Sequence, residues 1–400
     1  MSRTRSRTKA LLAIVALVAT IVIFVVAGAL RFFGTPVHAD AATMPSTAGL
    51  RASQYANAID KARRLGRQAV LEENLPGLSV AVGAGGALVW SEGIGWAEVE
   101  HGVPVTPETR FWIGTGSEAL TAMAVGVLLE QGRLRVDEEI HAYVPQLAKT
   151  QQPVTLRQLM ADAGTRGADA RQDGPLFRQR CERPVDALPH MADAATNYGF
   201  VLVSAAVEAA AGQPFLTFMR DRIFEPLGMH ATFAESTTEE NPDHVGEPGE
   251  DFPLFILMRD LFGEPKAVVR DRATLYARGS GGNLRGLLQP AFRHRLHVVR
   301  LGNLSCYAGA MAFLSTPSDL VRFGLALNNG TLLRPETMDM LQTLPAPSLA
   351  AGHRGELRGQ EVMSLLTDPE RKIAVAVTTN SAYPDASSLA ATLAELFAAR

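Results

Sequence analysis

The chain has 400 residues, 47% of them hydrophobic, and a formal net charge of −3. That is apolar material for one large domain or two average ones. The balance argues against a nucleic-acid binder, which carries a basic stripe. The two cysteines, Cys181 and Cys306, form no CxxC, and no HExxH or paired His/Cys cluster occurs, so no metal or cofactor is expected. The cysteines either pair in an oxidising compartment or sit buried and inert.

Residues 1–9 form a basic tail with Arg3, Arg5, Arg7 and Lys9. Ala10 to Leu30 is an uncharged, almost wholly apolar run of 21 residues. As a helix it would reach about 30 Å, enough to cross a bilayer. Only Arg31 follows it closely, so the positive-inside bias places the N-terminus in the cytoplasm and the body outside, in a periplasm-like space. One transmembrane anchor is predicted over 10–33. The alternative is a cleaved signal peptide, with Val37-His38-Ala39 as its small-residue site; signal cores are shorter, about 7–15 residues. Residues 34–53, rich in Ala, Thr, Pro and Ser without periodicity, read as a linker, and 54–400 as one domain.

Helical spacing runs through Tyr55, Ile59, Ala62, Leu65 and Ala69, and ends at Leu75-Pro76-Gly77. Leu78–Val82 and Ala87–Trp90 flank Gly83-Ala84-Gly85-Gly86 and predict a hairpin. Ser117–Gln131 is apolar nearly all round, the pattern of a buried helix, and Gly132 stops it. From about 150 to 300 the chain reads as a mostly helical subdomain, with helices at Asn197–Ala211 and Phe215–Ile223. Loops are expected at Thr165–Pro184 and Glu239–Asp251, and at Gly279-Ser280-Gly281-Gly282. Ser318–Leu327 is a further helix. Val362–Leu366 and Ile373–Thr378 form a second hairpin, and a helix closes the chain over Ser387–Ala399. Strands at both ends with helices between them imply an α/β fold: one antiparallel sheet closed by distant segments, flanked by helices.

Several segments carry a resemblance: Leu88-Val89-Trp90-Ser91-Glu92-Gly93 with Gly95-Trp96-Ala97, Pro104-Val105-Thr106-Pro107-Glu108-Thr109, Phe224-Glu225-Pro226-Leu227-Gly228-Met229, Phe313-Leu314-Ser315-Thr316 with Asp319-Leu320, and Pro335-Glu336-Thr337-Met338. In this order and spacing the chain from Leu75 onward resembles the class C β-lactamase, DD-peptidase and esterase group, and most of all its mitochondrial β-lactamase-like branch. The resemblance implies a β-lactamase/transpeptidase-like fold and a Ser-x-x-Lys nucleophile motif. Here Thr115 stands at the serine and Glu118 at the lysine. The family's Tyr-x-Asn falls on Ala195-Thr196-Asn197, and its His/Lys-Thr-Gly strand motif on His353-Arg354-Gly355. Ser117, Asn197, His353, Arg354 and Gly355 are the expected binding positions. Ala310-Met311-Ala312 replaces a glycine-rich segment, and the stretch from Pro345 to Gly352 is short for the strand expected there.

A hydroxyl nucleophile needs a neighbour to take its proton. A lysine about 4 Å from developing negative charge contributes roughly 4 kcal/mol at an effective dielectric near 20, and a carboxylate there reverses the sign unless it is protonated. Thr115 and Glu118 also fit a capping box, Thr at N-cap and Glu at N3. Ser117 could attack in a shifted register or be a first-turn residue. His353 could act as a base or be structural, and Asn197 could line the cleft or cap a helix. Three readings stay open: a membrane-anchored pseudoenzyme whose cleft binds a cell-wall (peptidoglycan) peptide or a protein partner, a serine/threonine hydrolase with altered machinery, and a self-assembling scaffold.

Overall fold

The computed structural model describes residues 17–21, 36–147, 153–162, 183–190, 199–234, 272–278, 296–298, 304–344, 352–357 and 360–398. Strands β1 (Ser46–Arg51), β2 (Gly77–Ala84), β3 (Ala87–Glu98), β10 (Gly352–Leu357), β11 (Gln360–Asp368) and β12 (Ile373–Thr379) make one antiparallel sheet in the order β1-β3-β2-β12-β11-β10. The two-residue strand β4 (Val103–Pro104) pairs with β3. Both expected hairpins are present. In the first, Gly85 and Gly86 take φ of 62° and 87°, which a residue with a side chain rarely adopts. The sheet closes where β12 meets β2, in register from Ile373↔Ala84 to Thr379↔Leu78.

Helices cover both faces because the central strands are apolar on both. On one face, α1 (Ala56–Glu72) buries Ile59, Ala62, Ala69 and Val70, and α8 (Ala386–Ala398) buries Leu389, Leu393 and Phe397, against Val80, Val82, Trp90, Val375 and Val377. Phe397 stacks on Trp90 with ring centroids 6.0 Å apart. Each buried Ile, Val, Leu or Phe side chain here contributes about 1.5–3 kcal/mol. On the other face lie α2 (Gly116–Glu130) and α6 (Pro317–Asn329), over Ala81, Met363, Leu365 and Ala376. Helix α2 buries almost its whole circumference, as its sequence predicts, and Gly132 ends it at φ 67°.

Between these halves come α3 (Leu156–Asp162), α4 (Gly199–Ala211), α5 (Phe215–Met219) and α7 (Pro335–Thr343). The middle region is not only helical. Strands β5 (Phe111–Trp112), β9 (Phe313–Ser315) and β6 (Phe233–Ala234) form a three-stranded sheet, and β7 (Tyr276–Arg278) pairs with β8 (Leu296–Val298). Their length of two or three residues leaves no readable alternation in the sequence. The expected loops at 165–182, 239–251 and 279–282 lie outside the described residues.

Two expectations at the N-terminus meet the structure differently. The linker assigned to 34–53 is incorrect over its second half, because 46–51 is strand β1 on the edge of the sheet. Its composition hid it: an edge strand packs little of its own surface, and what binds Ser-Thr-Ala-Gly-Leu-Arg is the backbone of β3, whose outer edge needs partners. Of the apolar run, residues 17–21 are described; they are helical, with Leu17, Val18 and Ile21 exposed. Among the described residues no single helix is long and apolar enough to cross a membrane. Cys306 is fully buried and disulfide-bonded, and Cys181 lies outside the described residues.

Candidate active site

Thr115 precedes α2 and faces the free edge of β10. Its N–H donates to the Glu356 carbonyl (3.0 Å), and the Glu356 N–H donates back to Thr115 Oγ1 (3.0 Å). The hydroxyl also lies 3.4 Å from the Arg354 carbonyl oxygen, which accepts its proton. A bulge in the β10–β11 pairing falls between Gly355 and Glu356, where β10 meets Thr115. Glycines permit the approach. Gly114 has φ 53°, and a Cβ there would lie 2.2 Å from the Glu356 carbonyl oxygen; a Cβ on Gly355 would lie 2.0 Å from that of Ile113.

This interlock replaces the capping box read from the sequence. No side-chain cap forms at Thr115, whose ψ of −8° is helical, whereas an N-cap threonine needs an extended backbone to reach the N3 amide. Thr316, with ψ 154°, has that geometry and accepts from the Asp319 N–H of α6. At α2 the first amides bond one turn back instead: Gly116 N–H to Ile113, Ser117 N–H to Gly114 and Glu118 N–H to Thr115. The helix start therefore presents no free donors of the kind that usually bind anions.

Glu118 is 9% exposed and makes no side-chain hydrogen bond or ion pair among the described residues. Burial pushes its carboxyl up to about 8. It is therefore mostly neutral at pH 7. The sign reversal expected from a carboxylate does not arise; what the site lacks is the positive charge itself, about 4 kcal/mol by the same Coulomb arithmetic.

His353 is 4% exposed and lies on the same face of β10 as Gly355 and Leu357. Burial holds its imidazole down to about 4, which favours the neutral form, and Nε2 has no hydrogen-bond partner among the described residues. The exposed neighbours Arg354 and Glu356 project to the opposite face. Ser117, expected among the binding positions, is fully buried, and its Oγ accepts from the Phe313 N–H at 3.2 Å. Thr121, one turn further along α2, donates to the Gly309 carbonyl at 2.8 Å. Gly309 sits in the wide helical turn Ala308–Ala312, which includes Ala310-Met311-Ala312. Ala195 and Asn197 lie outside the described residues, as does 345–351, where the expected strand was short; the His353-Arg354-Gly355 segment itself is strand.

The structure thus brings together Thr115, Arg354, Gly355 and Glu356. The last of these was missed because it acts through backbone atoms, which leave no side-chain signal; its only trace is its place next to the motif glycine. In acyl transfer by a Thr115-type hydroxyl, an oxyanion would be held by backbone N–H donors beside the nucleophile. The two N–H groups flanking Thr115 Oγ1, those of Thr115 and Glu356, are both occupied, and by each other's residue. A depression bordered by Asp368, Arg371 and Glu395 lies away from this site, and its charges neutralise one another through Arg371–Glu395 (2.6 Å) and Arg371–Asp368 (3.6 Å).

The Beta-lactamase family model matches residues 57–400. The chain belongs to the Beta-lactamase family. The mitochondrial serine β-lactamase-like protein LACTB of Bos taurus is 42% identical over 92 residues, a match that covers 23% of this chain and 16% of that protein. The solved structure of FmtA from Staphylococcus aureus superposes with a TM-score of 0.60 at 18% identity, covering 84% of this chain and 87% of that one. The octameric penicillin-binding protein homologue from Pyrococcus abyssi gives 0.59 at 20% identity, covering 83% and 75%. The last two likenesses concern the fold alone.

Proposed function

We propose that this protein is a membrane-anchored, extracytoplasmic member of the Beta-lactamase family that has lost acyl-transfer chemistry and uses its cleft to bind a cell-wall peptide or a protein partner. The observation that carries this reading is the reciprocal bonding of Thr115 and Glu356, which consumes the hydroxyl and both neighbouring N–H donors. A neutral Glu118 supplies neither the positive charge nor the ready base of the family's lysine. The apolar run of residues 10–30 supports the anchor. The disulfide at Cys306 is in keeping with an oxidising compartment.

The test is mass spectrometry of the full chain after treatment with a fluorophosphonate and with fluorescent penicillin. No covalent adduct is expected, and ester turnover should not exceed that of Thr115→Ala. An adduct mapped to Thr115 or Ser117 would replace this reading with an active hydrolase. Thr115→Ser combined with Glu118→Lys is expected to remain inert, since Glu356 still occupies the residue-115 N–H and Ala195 still stands where the family has tyrosine.

A further inference from the structure

Residues 37–51 are bound to the domain at nearly every second position. The Val37 N–H donates to Asn74 Oδ1 (2.7 Å). His38 is 6% exposed, bonds through Nε2 to the Pro76 carbonyl (2.9 Å) and stacks on Trp96 with an interplanar angle of 10°. Arg67 donates to the Ala41 carbonyl, and Met44 is buried in the core beneath α1 and α8. The Gly95 N–H donates to the Pro45 carbonyl (2.8 Å). Ser46 Oγ donates to the buried carboxylate of Glu92, which Arg63 also holds, and β1 then pairs along β3.

We infer that this segment is a docked strap that seats the Asn74–Trp96 end of the domain on the membrane surface, with the lipid bilayer as the partner. The inference rests on the membrane anchor proposed above and adds an orientation to it. The predicted anchor ends at Phe33, and the first docked residue among those described is Val37. Four residues span no more than about 14 Å. A free linker over 34–53 would have a root-mean-square span of about 25 Å and could extend to about 70 Å. Docking removes that freedom and leaves one end of the sheet beside the headgroups. Trp96 lies there partly exposed, a residue suited to the interface. Glu72, Glu73 and Glu98 at the same end oppose an anionic surface, so the covalent strap rather than charge sets the position. Cleavage after Ala39 would delete the Val37 and His38 contacts, so the strap belongs to the retained, uncleaved form.

The experiment uses the full chain in phosphatidylcholine vesicles carrying a headgroup-linked energy acceptor, with a donor dye on Glu72→Cys or on Ala87→Cys. Both positions are exposed, and strand β2 separates them by about 25 Å. Transfer from position 72 is expected to exceed that from 87 severalfold, and amides 37–51 should exchange slowly with deuterated solvent. The triple variant His38→Ala, Met44→Ser, Ser46→Ala should speed that exchange and shrink the difference. Equal transfer from both positions with a sedimenting chain overturns the strap's role, as does fast exchange of 37–51 in the unaltered protein. A soluble chain beginning after Ala39 overturns the proposal through its membrane premise instead; slow exchange of residues 40–51 would then show that the membrane reading failed and not the docking.

Discussion

Glu118→Gln should stabilise this protein in a manner that depends steeply on pH. A buried acid whose pKa rises from 4.5 to about 8 binds its proton more tightly in the folded state. Between those values the unfolded chain has lost the proton and the folded one retains it, so the contribution is full below 4.5 and lost as pH rises towards 8. At about 1.36 kcal/mol per pH unit the total is about 5 kcal/mol, a ceiling that local opening lowers. His353 has the opposite slope. Its pKa falls from 6.5 to about 4, so its contribution is present above 6.5 and lost as pH drops towards 4, in total about 3 kcal/mol. From pH 4.5 to 6.5 the two slopes cancel. From 6.5 to 8 only that of Glu118 remains, and the wild type loses about 2 kcal/mol from this source.

Glutamine keeps the size of the neutral acid and cannot ionise. The stability difference between Glu118→Gln and wild type should therefore grow by about 1.4 kcal/mol per pH unit from 4.5 towards 8. Urea unfolding of the detergent-solubilised chain, followed by tryptophan fluorescence at pH 4.5, 5.5, 6.5 and 7.5, measures it. A difference that stays flat across that range would refute a buried neutral Glu118 and restore the ionised carboxylate read from the sequence.

Gly355→Ala should cost about 3 kcal/mol or more in the same unfolding assay, because the added Cβ lies 2.0 Å from the Ile113 carbonyl oxygen and forces β10 off the start of α2. Arg63→Ala should cost about 3–5 kcal/mol. It strips the bidentate partner from Glu92, whose side chain is fully buried; burial raises that carboxyl, and Arg63 together with Ser46 outweighs it and holds it below the usual range. A loss under about 1 kcal/mol would show that Ser46 and Trp90 suffice to hold the charge. Thr115→Val should cost about 1 kcal/mol by leaving the Glu356 N–H without its acceptor, while Thr115→Ser should stay within about 0.5 kcal/mol of wild type.

The elements with strong local signals were legible in the sequence. The all-round apolar pattern of α2 announced a buried helix, and the two hairpins showed as apolar runs around turn residues. Strand β1 was not legible, since its place depends on the unpaired edge of β3, some forty residues further along the chain. The candidate site divides in the same way. The resemblance pointed to Thr115, Glu118, His353 and Gly355 by their place in the chain. What those residues do was not.

Residue identity by itself determined that a threonine and a glutamate, Thr115 and Glu118, stand where the resemblance places Ser-x-x-Lys, because that is a matter of which atoms are present. Tertiary structure decided the rest: that Thr115 bonds to a strand some 240 positions away instead of capping its own helix, and that burial favours the neutral forms of Glu118 and His353. Hydrogen bonds between distant backbones and the loss of water around a carboxyl depend on the assembled environment, and no local stretch of sequence encodes either.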